Sequence, residues 1–360
     1  MRKIFQLIGF VLFGLNVQAQ DPHFSQFFAS PLTLNPAFTG KFDGVWRIAA
    51  NNKNQWYMEN QNGQIGLDGY AYSTSSFSVD FPILKNKIPE GDIFGVGISA
   101  LKDASANNTL KLNYGSASIS YHKALDESGY NTIGAGFQGT YSNLLLDTRQ
   151  LHFEDELTRY GWFFDQQHQS TTSGSSADYG AGLLANKDNI RNYFDMNAGI
   201  LYSGSSNGEN NYYLGLSMYH INRPKLSYKR NNAWYLSNRT TIHGGGSFAI
   251  SDVVGLNVSF IQQFQNKASE TVLGGTLSFN ANGDDEKPTN VYMGSWFRVN
   301  DAIIPYVGME VGGLRIGATY DINVSGVKSG LSTKLGSEME FSIIYIKRPP
   351  ESKGIPCPRF

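Results

Sequence analysis

Two short motifs in this chain have the spacing of chemical sites. Gly134-Ala135-Gly136-Phe137-Gln138-Gly139 spells G-x-G-x-x-G, the turn that lets a backbone approach a dinucleotide pyrophosphate when a helix N-terminus follows. Gly204-Ser205-Ser206-Asn207-Gly208 spells G-x-S-x-G, the elbow that presents a nucleophilic serine between a strand and a helix. Neither has the helix. Ile133, Ala135, Phe137 and Tyr141 carry a strand alternation straight through the first motif, and the second is a polar turn between two alternating stretches. The six histidines, His23, His122, His152, His168, His220 and His243, contain no i,i+4 pair and no H-E-x-x-H, so no local metal signature exists, although distant positions can converge in a barrel. Asn282-Gly283-Asp284-Asp285-Glu286 is acidic but lacks the spaced ligands of a calcium loop and reads as a solvated turn. A hydrolase would need a Ser or His to meet a partner at the strand ends. The sequence alone cannot pair them, and these residues give no support to catalysis or to a metal or cofactor site.

The elements behind these residues are strands. Leu314, Ile316, Ala318, Tyr320 and Ile322 alternate with Arg315, Gly317, Thr319, Asp321 and Asn323, and Leu256, Val258 and Phe260 alternate with Gly255, Asn257 and Ser259. A period of two separates an apolar face from a polar one, which a helix cannot do with this pattern. About fourteen such segments follow one another, from residues 44–53 to residues 334–346. An even count of strands of about ten residues is the pattern of a transmembrane antiparallel up-and-down β-barrel. A further candidate, residues 179–186, is left in a loop because it would break the parity.

Composition agrees. Charged residues make up 16% of the chain and glycine 39 of its 360 residues, with aromatics at 13%, against roughly 25% charged and 7% glycine in soluble domains. A secreted β-sandwich or β-propeller shares part of this signature. A net charge of -1 gives no basic face for nucleic acid. The single Cys357 leaves neither an internal disulfide nor a thiolate metal cage.

The chain divides into four parts. Arg2 and Lys3, the apolar residues 4–15 and Val17-Gln18-Ala19 read as a signal peptide over residues 1–19, cleaved before Gln20 and too short to span a bilayer. Residues 20–43 are rich in Pro and irregular. Residues 44–346 are the barrel, with a long extracellular loop at 146–193, and residues 347–360 are a Pro-rich tail on the periplasmic side. With both termini periplasmic, the odd-numbered connections are extracellular and should be the longer ones. Residues 146–193 and 222–239 meet that expectation, as do the short turns at 205–209, 251–253 and 312–313 on the other side.

Parity also assigns the faces. Tyr212, Leu214, Leu216 and Met218, and Met339, Phe341, Ile343 and Tyr345, are expected to face lipid, with Glu338, Glu340 and Ser342 in the lumen, because a carboxylate in hydrocarbon costs up to a few kcal/mol. Trp46, Trp56, Trp296 and Tyr306 are expected in the interfacial aromatic girdles, with ordinary core packing the alternative for each one singly. The long loop is a candidate plug or a solvated loop. Phe24, Phe27, Phe28 and Phe38 in residues 20–43 would be wasted on a loose tether; burying all four is worth roughly several kcal/mol. This segment is therefore expected to dock against the barrel or a partner.

Gln20-Asp21-Pro22-His23-Phe24-Ser25-Gln26 followed by Asn35-Pro36-Ala37-Phe38-Thr39-Gly40 resembles the mature N-terminus of the PorP/SprF family, Q-D-P-x-F-S-Q and N-P-A-[YF]-x-G. Those are outer-membrane proteins of the type IX secretion and gliding machinery of Bacteroidetes-type bacteria. Weaker likenesses follow in order at Leu151-His152-Phe153-Glu154-Asp155-Glu156, Gly215-Leu216-Ser217 with His220 to Pro224, Tyr320-Asp321-Ile322-Asn323 and the closing Cys357-Pro358-Arg359-Phe360. The loop up to Tyr193 and its polar insertion at 170–176 depart from the family pattern. The resemblance implies an outer-membrane barrel that binds, anchors or helps export secreted surface proteins, with a passive porin as the alternative. Its implied partners are outer-membrane lipid, an adhesin or other cargo with a C-terminal secretion domain, and periplasmic ring or peptidoglycan-binding subunits. Asp21, Pro22, Phe24, Ser25, Gln26, Asn35, Pro36, Phe38, Gly40, Cys357, Pro358 and Phe360 are the implied partner-binding residues.

Overall fold

Fourteen antiparallel strands close into one barrel in the computed structural model, which describes residues 21–59, 65–84, 87–105, 108–147, 188–206, 208–226, 235–283, 289–324 and 337–348. Each strand pairs with its sequence neighbours, and β1 (Trp46–Glu59) closes the sheet on β14 (Ser337–Lys347), with Trp46 opposite Lys347. Closure leaves no unpaired edge. The remaining strands are β2 (Ile65–Ile83), β3 (Ile93–Ser105), β4 (Leu110–Ala124), β5 (Thr132–Asp147), β6 (Asp188–Ser205), β7 (Asn211–Tyr219), β8 (Arg239–Ser251), β9 (Val254–Gln265), β10 (Ala268–Asn280), β11 (Thr289–Arg298), β12 (Ala302–Val311) and β13 (Leu314–Asn323). A sandwich or propeller is excluded.

The expected lipid faces are outward. Leu214 is 54% exposed and Phe341 50%, whereas Glu340 between the outward residues of β14 is fully buried in the lumen. Trp46 meets Tyr345 edge-on at the start of β1, as a girdle pair would. Trp296 and Tyr306 are not girdle residues: both are buried inside the barrel. Trp296 shares its parity with Arg298, and Tyr306 with Glu310, so the charge that must face the lumen carries the aromatic inward with it. The side chain of Trp56, the fifteenth strand candidate at 179–186, the long-loop plug and the signal peptide lie outside the described residues.

Several strands outrun their sequence pattern. β1 continues to Glu59, β5 to Asp147, and β6 starts at Asp188 rather than near residue 194. Above the bilayer a strand no longer needs an apolar face, so alternation ends before hydrogen bonding does. β2 has 19 residues and β6 has 18, against nine in β7, and about 9–11 are needed to cross the hydrocarbon. The β1–β6 wall therefore stands higher than the wall opposite. The connections after β5 and β7 leave from the same end, but so does the tight turn at Asn266 and Lys267 between β9 and β10, so loop length marks that end only in part.

The lumen holds residues 21–43. They form a 3-10 turn (Phe27–Ala29), one α-helical turn (Pro31–Leu34) and a second 3-10 turn (Pro36–Phe38). Pro31 and Pro36 start their turns, where a missing N–H costs nothing.

Candidate functional site

The site is the contact between this segment and the inner wall. Asp21 sits at the mouth that carries the β5–β6 and β7–β8 connections. Its backbone N–H donates to Gln265 at 2.8 Å, and its carboxylate meets His220 Nε2 at 2.6 Å and Arg239 at 3.3 Å. His220 Nδ1 in turn contacts Asp195 at 2.6 Å. Burial alone would lower the His220 pKa, but the carboxylates of Asp21 and Asp195 outweigh it and hold the ring at about 9. The Asp21 carboxyl resists the opposing pull of burial and lies well below its ordinary range, because His220 and Arg239 stabilise its charge. The start of the segment is thus latched by a charged cluster.

Deeper in, the backbone N–H groups of Ser25 and Gln26 both donate to the Glu340 carboxylate, at 2.7 and 2.9 Å, and Asn51 donates to it at 2.7 Å. Charge-assisted bonds of this kind are about twice as strong as neutral ones. Ser25 Oγ donates to Asp321 at 2.6 Å, and Arg298 reaches both that oxygen and Asp321 at 2.8 Å. Gln26 receives Ser342 at 2.6 Å. Around them Lys53 pairs with Glu338 at 2.9 Å and His23 with Glu270 at 3.2 Å.

The middle is aromatic. Phe28 stacks on Trp296 with centroids 4.8 Å apart and meets Tyr306 edge-on at 5.6 Å. Phe27 and Phe38 belong to the same buried cluster, Phe38 lying 5.6 Å from Tyr213. Carbonyls along the segment receive donors from the wall: Gln138 and Tyr219 on Leu32, Arg239 on Thr33 and Ser217 on Leu34. A buried irregular backbone requires such partners.

Asn35 closes the N-P-A turn through its own side chain, which accepts the Ala37 N–H at 2.8 Å, an Asx turn. Its amide donates to Ile200 O and to His243 Nε2, both at 3.0 Å, so the His243 proton is on Nδ1. His122 Nε2 bonds Ala37 O at 2.7 Å. Gly40 takes φ +68, a left-handed conformation open to glycine. Its N–H donates to Asp80 at 2.7 Å, and Asp80 also receives Arg47, whose other bond goes to Phe38 O. From there the chain enters β1 at the mouth opposite Asp21.

Glycines make the space. A Cβ on Gly136 would stand 2.4 Å from Ala37 N, and one on Gly199 2.0 Å from Asn35 Oδ1. Gly134 and Gly136 of the G-x-G-x-x-G motif are therefore clearance on β5 and not a nucleotide loop. The G-x-S-x-G motif starts at the end of β6 and leads into its turn.

The lumen thus gathers Asp21, Pro22, Phe24, Ser25, Gln26, Asn35, Pro36, Phe38 and Gly40. Cys357, Pro358 and Phe360 lie outside the described residues. Sequence reading put Glu340 in the lumen and His220 in a family-like stretch without tying either to this segment, and it missed Asp80, His122, His243 and Arg298. Their one signal was parity, since each is polar at a lumen-facing position or at a strand end. Among the described residues, no group of three His, Cys, Asp or Glu is placed to hold a metal ion.

The profile of the family described as type IX secretion system membrane protein PorP/SprF matches residues 16–345. The fold is similar to that of the Ralstonia pickettii toluene transporter TbuX, at TM-score 0.51 and 13% identity over 89% of this chain and 93% of that one. It is similar to the CymD monoaromatic hydrocarbon channel at TM-score 0.51 and 12% identity, over 90% and 93% of the two chains. No curated protein sequence matches.

Proposed function

Since the chain belongs to the PorP/SprF family of type IX secretion system membrane proteins, we propose that it serves in the outer membrane as a plugged binding barrel that anchors or helps export secreted surface proteins. The observation that carries this reading is the occupied lumen. Residues 21–43 run from the Asp21 latch at one mouth to the Gly40–Asp80 contact at the other, and a filled bore suits a scaffold better than a conduit.

In this reading the family-signature residues act on partners through the barrel, by fixing the shape of both mouths. An adhesin or other cargo with a C-terminal secretion domain binds at the tall β1–β6 wall and the long connections. Periplasmic ring or peptidoglycan-binding subunits bind the opposite mouth and the tail at 347–360, where Cys357, Pro358 and Phe360 supply contacts. No catalysis is involved.

The test pairs conductance with pull-down. Purified full-length protein in a planar bilayer should be silent, and deletion of residues 21–40 should open steady conductance and lose partners while the barrel stays folded. Steady conductance of the intact chain, or unchanged partners after the deletion, sinks the reading.

A passive channel is the second reading. A cavity beside Phe28, Tyr213, Tyr292, Trp296, Tyr306 and Arg315 favours it, and TbuX and CymD bear the names of a transporter and a channel. Toluene influx into vesicles that depends on the intact protein would support this second reading over the first.

A further inference from the structure

The outer face of β2–β5 carries a recess that the plug and the lumen do not explain. Its floor is a single register row: Phe77 pairs with Ala100, Ala100 with Gly115, and Gly115 with Tyr141. All four point outward, with Phe77 at 47% and Tyr141 at 59% exposure. Two small residues between two aromatics leave a hollow of about 490 Å³, within the range of ligand pockets, roughly 300–1,000 Å³. A Cβ on Gly115 would meet nothing within 4 Å. Below this row the outward residues are apolar, Ile98 and Ile119 among them.

The next row toward the Asp21 mouth is polar. Ser75 pairs with Lys102, Lys102 with Asn113, and Asn113 with Asn143. The change from Phe77–Tyr141 to Ser75–Asn143 marks the level where hydrocarbon gives way to headgroups. Lys102 is exposed directly over the hollow, and Lys111 follows on the same face of β4. Neither lysine has an ion-pair partner among the described residues, and no carboxylate is among the described outward side chains of β2–β5. An uncompensated cation at the headgroup level above an apolar hollow matches a lipid with an anionic head and a flexible tail.

We infer that this recess is a binding site for a phospholipid with a net anionic head group, its acyl chain lying on Ala100 and Gly115 between Phe77 and Tyr141, and its phosphate on Lys102. The inference needs only the membrane barrel and is independent of what the lumen or the loops bind.

The test uses full-length protein extracted in a mild non-ionic detergent, with bound lipid measured by mass spectrometry of the organic extract. Rebinding is then measured from micelles containing phosphatidylglycerol or, as the neutral control, phosphatidylcholine. Wild type should retain about one net anionic phospholipid per barrel and prefer phosphatidylglycerol at least five-fold. Gly115→Leu, which fills the hollow, and Lys102→Gln, which removes the charge, should each lower retention at least five-fold. Lys123→Gln, at the other end of β4, should leave it unchanged. Heat-modifiable migration reports folding, and Lys102→Gln keeps the test decisive if Gly115→Leu misfolds. Equal retention in wild type and Lys102→Gln, equal binding of phosphatidylcholine, or a second protein on this face in place of lipid would overturn the inference.

Discussion

Gly199 of β6 lies so close beneath Asn35 that a Cβ there would stand 2.0 Å from Asn35 Oδ1, although 164 positions separate the two in the chain. The same Oδ1 caps the turn that leads to Ala37. The wall is thus cut to the shape of the segment it encloses, and one methyl group is enough to disturb the fit.

Replacing Gly199 with Leu should expel the N-P-A turn while the strands persist, since overpacking costs about 1–3 kcal/mol or more. In a Cys357→Ser background, a reporter Ala37→Cys should react with a thiol reagent at least ten-fold faster when Gly199 is Leu. An unaltered rate would show that the turn does not rest on Gly199.

Glu340 anchors the other half. Glu340→Ala removes the acceptor of the Ser25 and Gln26 N–H groups, and a bond to a charged group is worth about 1.5–3 kcal/mol. Hydrogen exchange at those two amides should accelerate by an order of magnitude or more, with the Ala37 amide, which bonds within the Asn35 turn, little changed. Uniform acceleration of all three would mean that the segment leaves as one unit.

Asp80 and Arg47 are a buried pair at the lower mouth. Asp80→Ala strands the Arg47 cation and frees the Gly40 N–H, a loss of about 3–5 kcal/mol. The double variant Asp80→Leu with Arg47→Met should recover at least half of that, because no buried charge remains. Denaturant midpoints of the refolded barrels measure both, and additive losses would contradict the pairing.

The Asp21 latch should depend on pH in a definite direction. His220 is held at about 9 in the latched form by Asp21 and Asp195 together and falls below that when Asp21 leaves, because only Asp195 then remains beside the ring. The raised pKa stabilises the latch fully below the unlatched value and loses that contribution as pH climbs through about 9. Asp21, whose pKa is lowered, holds over this whole range and fails only in acid. A thiol at Pro22→Cys, in the Cys357→Ser background, should therefore become more reactive between pH 7 and 10 after correction for thiol ionisation. His220→Gln should abolish the dependence; if it persists, another group controls the mouth.

Much of this could be read from the chain alone. Alternation identified fourteen strands, and carboxylates such as Glu338 and Glu340 told inside from outside, because a charge in hydrocarbon is expensive. The same rule, applied to Arg298 and Glu310, would have turned Trp296 and Tyr306 inward; aromatic type alone left girdle and core open. Strand ends such as Glu59 and Asp188 escaped because their outer portions have no lipid to sort their faces. Four phenylalanines signalled that residues 20–43 dock somewhere.

Local sequence determined the strands, their faces and the closed barrel, since a period of two and the cost of buried charge act residue by residue. Tertiary structure alone decided that residues 21–43 thread the lumen. The bonds that hold them join positions 316 apart, as from Ser342 to Gln26, or 208 apart, as from Asn35 to His243. Such contacts follow from which strands closure brings around one bore, and a pattern read along the chain carries no record of that.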